Sequence, residues 1–307
     1  MLVNLNDILP NARKMGYAVG AFNTSNLEIT QAIIKAAETL KAPVIVATSE
    51  KAIAYAGIEN ISGMIIGMAK RARVPVVLHL DHGKSFELCR DCIKHGYTSV
   101  MIDASHLPFI DNVRLTRRVV RYARKFRVTV EAEIGRLAGI EDDLKVKKTD
   151  AIYTDPNEAR HFVNASGCDA LAIAIGTSHG AYKFKGKPML RIDILKEIAR
   201  TITIPLVLHG ASGVKVKWIN RVNRYGGTLA HAKGIPDRLI HEAVAHGIAK
   251  INTDTDLRIG FTAGIREFLV KNQSIFDPRK ILTAAHDRIV EVVTDRIRVF
   301  GAENRAC

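Results

Sequence analysis

Three histidines stand where apolar runs of the sequence end, and each is followed by glycine: His82, His179 and His209. Imidazole nitrogens that converge from separate strands leave one coordination position open, which suits a catalytic zinc ion. No local zinc-binding motif is present, and a single histidine at a strand end would be explained by an ordinary hydrogen bond. The three together, with acidic neighbours, predict one bound divalent ion, with zinc as the first choice.

Groups suited to binding a phosphate lie close to these histidines. They are two glycines that would let a ligand approach bare backbone (Gly180 and Gly210), a cation (Lys183), and N–H or hydroxyl donors (Ser212, Asp254 and Thr255). Such a set is typical of the phosphate site that follows the last two strands of α/β barrels. The alternative is that the glycines only make turns. We therefore expect an anion next to the metal.

The elements that would position these groups are eight short β-like runs that alternate with helical patterns. They span residues 18–22, 43–48, 74–80, 99–103, 128–134, 170–175, 205–208 and 249–252. Eight strand–helix alternations at intervals of about 25–45 residues predict an α/β fold of the (β/α)8 TIM-barrel type. A doubly wound open sheet is the alternative, but it usually has fewer strands, and no GxGxxG motif follows the first run.

Two segments lie outside this alternation. Residues 5–15 predict an extra N-terminal helix that caps the lower end of the barrel, and residues 257–307 predict a C-terminal helical extension. The extension is longer than one barrel helix needs, so it could pack on the outside or form a dimer contact. No repeat, low-complexity tract or linker divides the chain. We therefore expect residues 1–307 to form a single barrel domain.

Polar residues collect at the carboxyl ends of the predicted strands, where barrel active sites form. Beside the three histidines these residues are Asn23, Ser49, Asp81, Asp103, Glu131, Glu133 and Asn252. Burying so many polar groups without partners would be costly, so a site is the better explanation. In contrast, His95 and His246 each precede a glycine that ends a helix, and we expect both at the lower rim.

Composition limits the other classes of function. The 307 residues are 47% apolar, and 45 Lys and Arg against 31 Asp and Glu give a net charge of +14. Much of the excess lies on helix faces, as in residues 117–125, where a solvated surface is the simplest interpretation. Attraction of anionic substrates and nonspecific nucleic-acid binding are the alternatives. Because few aromatic residues interleave the basic runs, we expect no nucleic-acid partner.

The sequence also indicates a cytoplasmic protein without a membrane partner. No apolar run approaches the roughly 18 residues of a membrane span, and the N-terminus lacks the pattern of a signal peptide. The four cysteines give no disulfide framework. Cys89 and Cys92 have CxxC spacing, but they fall in a helical pattern that turns both thiols toward the core.

Six segments, in chain order, together resemble the class II, zinc-dependent fructose-1,6-bisphosphate aldolases. They are LHLDHG (78–83), SVMIDAS (99–105), VEAEIG (130–135), GTSHG (176–180), LVLHGAS (206–212) and INTDTD (251–256). The resemblance covers almost the whole chain. It implies reversible cleavage of fructose 1,6-bisphosphate to dihydroxyacetone phosphate and glyceraldehyde 3-phosphate, a step of glycolysis and gluconeogenesis, through a zinc-stabilised enediolate. Tagatose 1,6-bisphosphate is the alternative substrate.

The resemblance also implies roles for individual residues. His82, His179 and His209 would bind zinc, Asp81 would act as acid and base on the C4 hydroxyl, Glu141 would exchange the proton on the nucleophilic carbon, and Asn252 would contact the enediolate. Asp103 and Glu133, with Glu131 as a neighbour, would bind a second or displaced divalent ion. Backbone carbonyls near Gly180 and Gly210 would hold a monovalent cation, K⁺ or Na⁺.

The two phosphates of the substrate are assigned by the same resemblance. Gly180, Lys183, Gly210, Ser212, Asp254 and Thr255 would hold the ketose-derived phosphate, Asn23 would contact substrate, and Ser49, Arg258 and Arg279 are candidates for the far phosphate. Arg279 would reach a neighbouring subunit of a homodimer or homotetramer. The sequence around Arg258 resembles the fructose-type members, which favours fructose over tagatose bisphosphate.

Two rival functions stay open. A Schiff-base aldolase on the same fold would use a lysine, and Lys250 is the candidate, although a charge on the lower half of its strand is the simpler interpretation. The rival without catalysis is a basic nucleic-acid-binding protein.

Overall fold

The computed structural model describes residues 1–135, 138–141, 144–146, 152–179, 189–230 and 232–306, with the backbone alone at 138–141, 144–146 and 179. Its strands are β1 Leu2–Val3, β2 Val19–Asn23, β3 Val44–Ser49, β4 Val76–Gly83, β5 Ser99–Ile102, β6 Thr129–Ile134, β7 Ala138–Glu141, β8 Leu144–Val146, β9 Ala170–Ile173, β10 Ser178–His179, β11 Leu206–Leu208 and β12 Ile248–Thr253. Its α-helices are α1 Leu9–Met15, α2 Leu27–Thr39, α3 Glu50–Ala56, α4 Ile58–Arg71, α5 Phe86–Lys94, α6 Phe109–Ala123, α7 Pro156–Ser166, α8 Ile192–Thr201, α9 Val216–Arg224, α10 Asp237–Ala245, α11 Thr255–Lys271 and α12 Pro278–Val299. Two 3-10 helices span Leu5–Asp7 and Arg124–Phe126.

Eight of these strands close into a parallel barrel. The order is β2, β3, β4, β5, β6, β9, β11 and β12, and β12 pairs back with β2. Nearly every residue of these strands is buried, because side chains face either the barrel interior or the surrounding helices. This explains why the strands are continuous apolar runs in the sequence. The predicted (β/α)8 barrel is confirmed.

Short polar residues start several of the helices that follow the strands. The side chains of Asn26, Ser49 and Ser85 accept hydrogen bonds from backbone N–H groups in the first turns of α2, α3 and α5. Each cap satisfies one of the N–H groups that a helix leaves without a partner at its start. The caps therefore fix where the chain turns from a barrel strand into a helix.

The segments predicted outside the barrel are also helical. At the N-terminus a 3-10 helix and α1 meet at Ile8, and α1 ends at Gly16 in the left-handed conformation. At the other end, α11 and α12 pack against each other, and α12 also packs against α2 on the outside of the barrel. The expected N-terminal helix is thus divided in two, and the C-terminal extension packs on the barrel.

A small second sheet contains the backbone of two predicted site residues. Strands β7 and β8 form an antiparallel hairpin, and β10 pairs in parallel with β7. The register places His179 opposite Gly139, two residues before Glu141. The backbone strand that carries Glu141, the predicted proton-exchange residue, is therefore hydrogen-bonded to the backbone that carries a predicted metal ligand.

Two histidines and two cysteines that the sequence pattern places away from the site lie where they were expected. His95 ends α5 and His246 ends α10, each before a glycine with positive φ. Cys89 and Cys92 are buried as free thiols, and burial raises the pKa of Cys89 to about 12. Across the described ranges, no single helix is long and apolar enough to cross a membrane, and one bent pair of helices meets that length and composition.

Candidate active site at the barrel mouth

The end of strand β4 is irregular, and this irregularity places two neighbouring side chains at one site. Consecutive residues of a regular strand point to opposite faces. Here the pairing of β4 with β5 shifts register between Leu80 and Gly83, and His82 has a φ of +49°. Because the bulge turns the backbone at His82, Asp81 and His82 both point into the barrel mouth, with Asp81 Oδ1 at 4.0 Å from His82 Nε2.

Two imidazole rings from opposite sides of the barrel face each other there. The Nε2 atom of His82 lies 2.7 Å from the Nδ1 atom of His209, and the ring planes are nearly perpendicular, at 88°. The other nitrogen of His82 donates to Asp103 Oδ2 at 2.8 Å, and the other nitrogen of His209 donates to Glu131 Oε1 at 2.8 Å. When both rings are neutral and each uses its N–H on a carboxylate, the two facing nitrogens both present lone pairs.

Lone pairs at this distance repel each other unless the two nitrogens share a proton or bind a cation. Burial, followed by the neighbouring His82, lowers the pKa of His209, which keeps the ring in its neutral, metal-binding form. Imidazoles bound to metals usually donate their second N–H to a carboxylate in this way. The donor set of His82 and His209 therefore fits a divalent metal ion.

The charge balance of the barrel mouth agrees with this. Four buried carboxylates (Asp81, Asp103, Glu131 and Glu133) face one buried ammonium group (Lys250). Burial alone would raise the pKa of Asp103 and Glu131, but for Asp103 the bonded His82, and for Glu131 the charge of Lys250 together with the bonded His209, hold the pKa below its ordinary range. Both carboxylates are ionised at neutral pH, so the described residues leave the mouth net negative, which a bound cation would offset.

Two overlapping groups could hold an ion. Asp81, His82 and His209 offer ligand atoms within 4.8 Å of one another, and His82, Asp103 and Glu133 do the same on the other side of His82. His82 belongs to both groups, one through each ring nitrogen. The structure thus brings together two of the three predicted zinc ligands and also the two predicted ligands of a second or displaced ion.

The third predicted ligand, His179, is described by its backbone in β10, and its side chain lies outside the described residues. The backbone before it nevertheless approaches His209. Gly210 has a φ of +61°, and a Cβ there would lie 2.8 Å from the carbonyl of Ser178. A larger residue cannot occupy position 210 without moving Ser178, so this glycine lets the two histidine-bearing loops come together. The Glu141 side chain, Gly180 and Lys183 also lie outside the described residues.

Asp81 is held by two amide side chains. Asn252 Nδ2 donates to Asp81 Oδ1 at 2.8 Å, and Asn23 Nδ2 donates to Oδ2 at 2.8 Å. Burial alone would raise the pKa of Asp81, but His82, His209 and Lys250 hold it below its ordinary range. Asp81 is therefore a carboxylate with a fixed orientation, as a base beside a metal ion should be.

Lys250 connects the candidate metal ligand His209 to Asp81, a role that the sequence did not reveal. Its fully buried Nζ lies 2.9 Å from Glu131 Oε2 and 2.7 Å from Asn252 Oδ1. Glu131 orients His209, and Asn252 orients Asp81, so one cation supports both. The expectation of a charge on the lower half of the strand was wrong, because the side chain reaches the site. Since Lys250 and Asn252 are two residues apart, strand alternation placed them on one face.

His79 was also overlooked, and it lies in the same buried layer. Its Nδ1 atom bonds with Ser99 Oγ at 2.8 Å, and its Nε2 atom lies 3.8 Å from Glu131 Oε2. Burial, followed by the charge of Lys250, lowers the pKa of His79 to about 3, so the ring stays neutral. Because His79 and Asp81 are two residues apart in β4, strand alternation places both side chains on the same face. This spacing was the signal in the sequence that could have identified His79.

A cavity of about 450 Å³ opens beside Asn23, the residue that donates to Asp81 Oδ2. Asn23, Ser49, Asp254 and Arg258 line it, all of which the sequence selected. Lys51 and Tyr55 line it too and were not selected, although α3 directly follows a barrel strand. The guanidinium of Arg258 donates to both Asp254 oxygens, at 3.0 and 2.8 Å. Arg279 lies elsewhere, on α12, where it pairs with Asp277.

The loop after β11 is the remaining predicted anion site. Ser212 is buried, and the next two backbone N–H groups, of Gly213 and Val214, donate to Asp256 at 2.8 and 2.6 Å. Thr255 is the first residue of α11, so the positive end of that 17-residue helix lies beside the cavity residue Asp254. The two predicted donor segments, 212 and 254–255, are thus joined through Asp256.

Comparison with known proteins gives a consistent result. A family model described as fructose-bisphosphate aldolase class-II matches residues 3–305. The chain is 52% identical to a fructose-bisphosphate aldolase of Thermus caldophilus, with 100% of both chains covered. It is 47% identical to a fructose-bisphosphate aldolase of Helicobacter pylori (strain ATCC 700392 / 26695), over 99% of this chain and 100% of that one. Among solved structures, the YdjI aldolase from Escherichia coli K12 is similar, with a TM-score of 0.82, 31% identity and full coverage of both chains.

Proposed function

The chain belongs to the class II fructose-bisphosphate aldolase family, and we propose that it reversibly cleaves fructose 1,6-bisphosphate to dihydroxyacetone phosphate and glyceraldehyde 3-phosphate. The observation that carries the proposal is the pair of facing ring nitrogens of His82 and His209, 2.7 Å apart and beside the fixed carboxylate of Asp81. The tagatose alternative is not favoured, because the relatives at 47–52% identity are named for the fructose substrate.

Zinc is the proposed metal. His82 and His209 would hold it through their facing nitrogens, with His179 as the third ligand, and Asp103 and Glu133 would serve a second or displaced ion. When bound, the ion supplies a Lewis acid that draws negative charge onto the oxygens of the ketose fragment. Backbone carbonyls near Gly180 and Gly210 stay the proposed site of K⁺ or Na⁺.

Proton transfer is proposed to fall to two carboxylates. Asp81 takes the C4 hydroxyl proton during cleavage and returns it during synthesis, because it is ionised and oriented by Asn23 and Asn252. Glu141 is proposed to exchange the proton on the nucleophilic carbon from its position on the β7–β8 hairpin. Asn252 is proposed to contact the enediolate through the amide that already orients Asp81.

Each phosphate has a proposed site. The start of α11 and the loop after β11 suit the ketose-derived phosphate, through Gly210, Ser212, Asp254 and Thr255, with Gly180 and Lys183 as further candidates. The 450 Å³ cavity suits the far phosphate through Ser49 and Arg258. Arg279 is 89% exposed at its side chain, which suits a contact with a second subunit.

We further propose that residues 1–307 form one domain, and that the protein is cytoplasmic and forms a homodimer or homotetramer. The exposure of Arg279 supports the oligomer, because its charge would add to that of Lys51 and of Arg258, which is paired with Asp254, at the far phosphate of a second subunit. Measuring the molecular mass of the protein in solution, with Arg279 intact and with Arg279 substituted, tests the proposed oligomer.

One coupled assay tests the proposed reaction. Cleavage of fructose and tagatose 1,6-bisphosphate is measured before chelation, after chelation, and after addition of zinc. We expect fructose bisphosphate to be the better substrate, activity to disappear with the chelator, and zinc to restore it. Two results together would contradict the proposal and favour Lys250 as a Schiff base: activity that survives chelation, and inactivation by borohydride in the presence of substrate.

A further inference from the structure

The outer surface of helix α6 carries a groove that the proposed reaction does not use. It has a volume of about 610 Å³. Its lining includes Arg114, Arg117, Arg118, Arg121 and Lys125 together with Phe86 and Tyr122, and we call this surface the α6 groove. None of these residues belongs to the candidate active site.

The cations of the α6 groove are only partly neutralised. Arg114 pairs with Asp111 at 2.9 Å, and Arg118 approaches Glu87 at 3.5 Å. Arg117, Arg121 and Lys125 are exposed and form no ion pair with any described residue. Some exposed cations elsewhere have an acidic partner in their own helix, as Arg238 has Glu242 in α10 and Lys271 has Glu267 in α11. The three neighbouring cations of the α6 groove lack such a partner.

The spacing of these cations works against the helix. Arg117 and Arg121 are four residues apart, as are Arg121 and Lys125, and like charges at this spacing destabilise a helix. The negative end of the helix dipole compensates cations in the last turn only. It therefore accounts for Arg121 but not for Arg114 and Arg117, which lie in earlier turns. Lys125 follows α6 in the 3-10 helix Arg124–Phe126. A bound polyanion would remove the repulsion along the whole row.

Aromatic rings lie beside the row of cations. Phe86, which comes from α5, packs edge-on against Tyr122 at 5.6 Å between centroids, and Tyr122 packs against Phe126 at 5.1 Å. Arg118 lies over the Phe86 ring at 3.9 Å. Phe126 is 50% exposed and lies beside the groove, next to Tyr122. An exposed apolar ring therefore lies at the edge of the positively charged groove.

The dimensions suit a short polymer rather than a single small anion. From Arg114 to Lys125 the chain advances eleven residues, which is about 16 Å along a helix. That length matches four or five phosphates at the roughly 3.4 Å spacing of one stacked strand. Exposed rings stack on bases that are not paired, and this is how proteins bind single strands without regard to sequence.

We propose that the α6 groove binds a short single-stranded nucleic acid, with its phosphates on Arg117, Arg121 and Lys125 and a base stacked on Phe126, which lies beside the groove next to Tyr122. This function is separate from the aldolase reaction. The sequence alone predicts no nucleic-acid partner, because few aromatic residues interleave the basic run. The fold changes that expectation, since Phe86 joins the groove from another helix.

The test uses the full-length, zinc-loaded protein and fluorescein-labelled 12-nucleotide probes. Anisotropy titrations with oligouridylate and oligo(dT), between 50 and 200 mM KCl, measure the dissociation constants. Three released counterions predict a slope of about −2 for the logarithm of the binding constant against the logarithm of salt, or about a 20-fold loss over this range. Tighter binding of either probe identifies RNA or DNA as the source of the ligand.

Variants separate the groove from net charge. The double substitution Arg117→Glu with Arg121→Glu should weaken binding at least tenfold and flatten the salt dependence. The matched control, Arg238→Glu with Arg298→Glu, makes the same change in net charge on other exposed arginines and should alter binding less than about twofold. Phe126→Ala should weaken binding about fivefold and leave the salt slope unchanged.

Aldolase activity of every variant serves as the folding control and should equal that of the parent. The proposal is overturned if neither probe binds, or if the control pair weakens binding as much as the groove pair. It is also overturned if a 12-base-pair duplex or a phosphatidylserine vesicle binds as tightly as the single strands and Phe126→Ala does not weaken the binding of any of them. Those last results would identify attraction of polyanions or membranes without base stacking.

Discussion

The barrel mouth and the α6 groove both concentrate charge, but they do so in opposite ways. In the mouth, Lys250 and the four carboxylates are buried, and hydrogen bonds fix their positions. In the groove, Arg117, Arg121 and Lys125 are exposed and have no acidic partner among the described residues. A buried charge must be paired because water cannot solvate it, whereas an exposed charge costs little when it is alone.

The difference separates two uses of charge. Fixed charges can orient a metal ligand or a base to within a few tenths of an ångström, which catalysis requires. Exposed and flexible cations can follow a ligand of variable shape, which suits a polymer. Substitutions of comparable size should therefore cause large losses in the mouth and small or favourable changes in stability at the groove.

The largest effect is expected for Asp81→Asn. The substitution keeps the shape but removes the base, so kcat should fall about 10²- to 10⁴-fold, with zinc still bound. Metal analysis and steady-state kinetics measure this, and Asp91→Asn on the surface of α5 is the control. Loss of the zinc itself would show that Asp81 is a metal ligand, as its place in the first ion-binding group allows.

Lys250→Met should come next. It leaves the Glu131 carboxylate without its cation, so unfolding free energy should fall by about 3–5 kcal/mol. Because Glu131 then orients His209 less firmly, zinc affinity should fall about 10- to 100-fold. The control is Lys215→Met, whose lysine also bridges two carboxylates but is 28% exposed. It should cost about 1 kcal/mol or less. Unchanged zinc affinity in a folded Lys250→Met protein would refute the connecting role of Lys250.

A moderate effect is expected for Arg258→Met at the edge of the mouth. Loss of a charge-assisted contact with the far phosphate should raise KM for fructose 1,6-bisphosphate about tenfold and change kcat little. Arg238→Met is a matched control, since that arginine also pairs with an acid in its own helix. If KM stayed at the parent value, the far phosphate would have to bind outside the 450 Å³ cavity.

The smallest effect, and one of opposite sign, is expected for Arg117→Glu in the groove. It replaces repulsion from Arg114 and Arg121 by attraction at the same helical spacings. The melting temperature should rise by about 1 °C, and kcat should not change. Calorimetry measures the shift. A clear decrease in melting temperature would mean that Arg117 has a stabilising contact, and the contrast between the two regions would weaken.

The sequence predicted the barrel strands to within three residues at every end. Continuous apolar runs mark buried parallel strands, and this signal is local. The largest error is at β4, which was expected to end at residue 80 and continues to Gly83. It continues because the bulge at His82 carries the pairing past the last apolar residue. A bulge depends on the neighbouring strand, so a local pattern does not reveal it.

The candidate site was predictable where residues end strands and less so where they lie within them. Asp81, His82 and His209 follow apolar runs, and the structure brings them together. Lys250 and His79 lie inside strands, where their contacts depend on which face points inward. The ring cluster of the α6 groove was not predictable, because Phe86 and Tyr122 belong to different helices and no periodicity relates them.

Zinc titration of the metal-free protein tests the central claim most directly. Calorimetry measures the number of zinc ions bound and their affinity in the parent, in His209→Ala and in His246→Ala. The parent and His246→Ala, whose histidine only ends α10, should each bind one zinc ion tightly. His209→Ala should lose that tight site, because one of the two facing nitrogens is gone. One zinc ion bound by His209→Ala with the affinity of the parent would contradict the account.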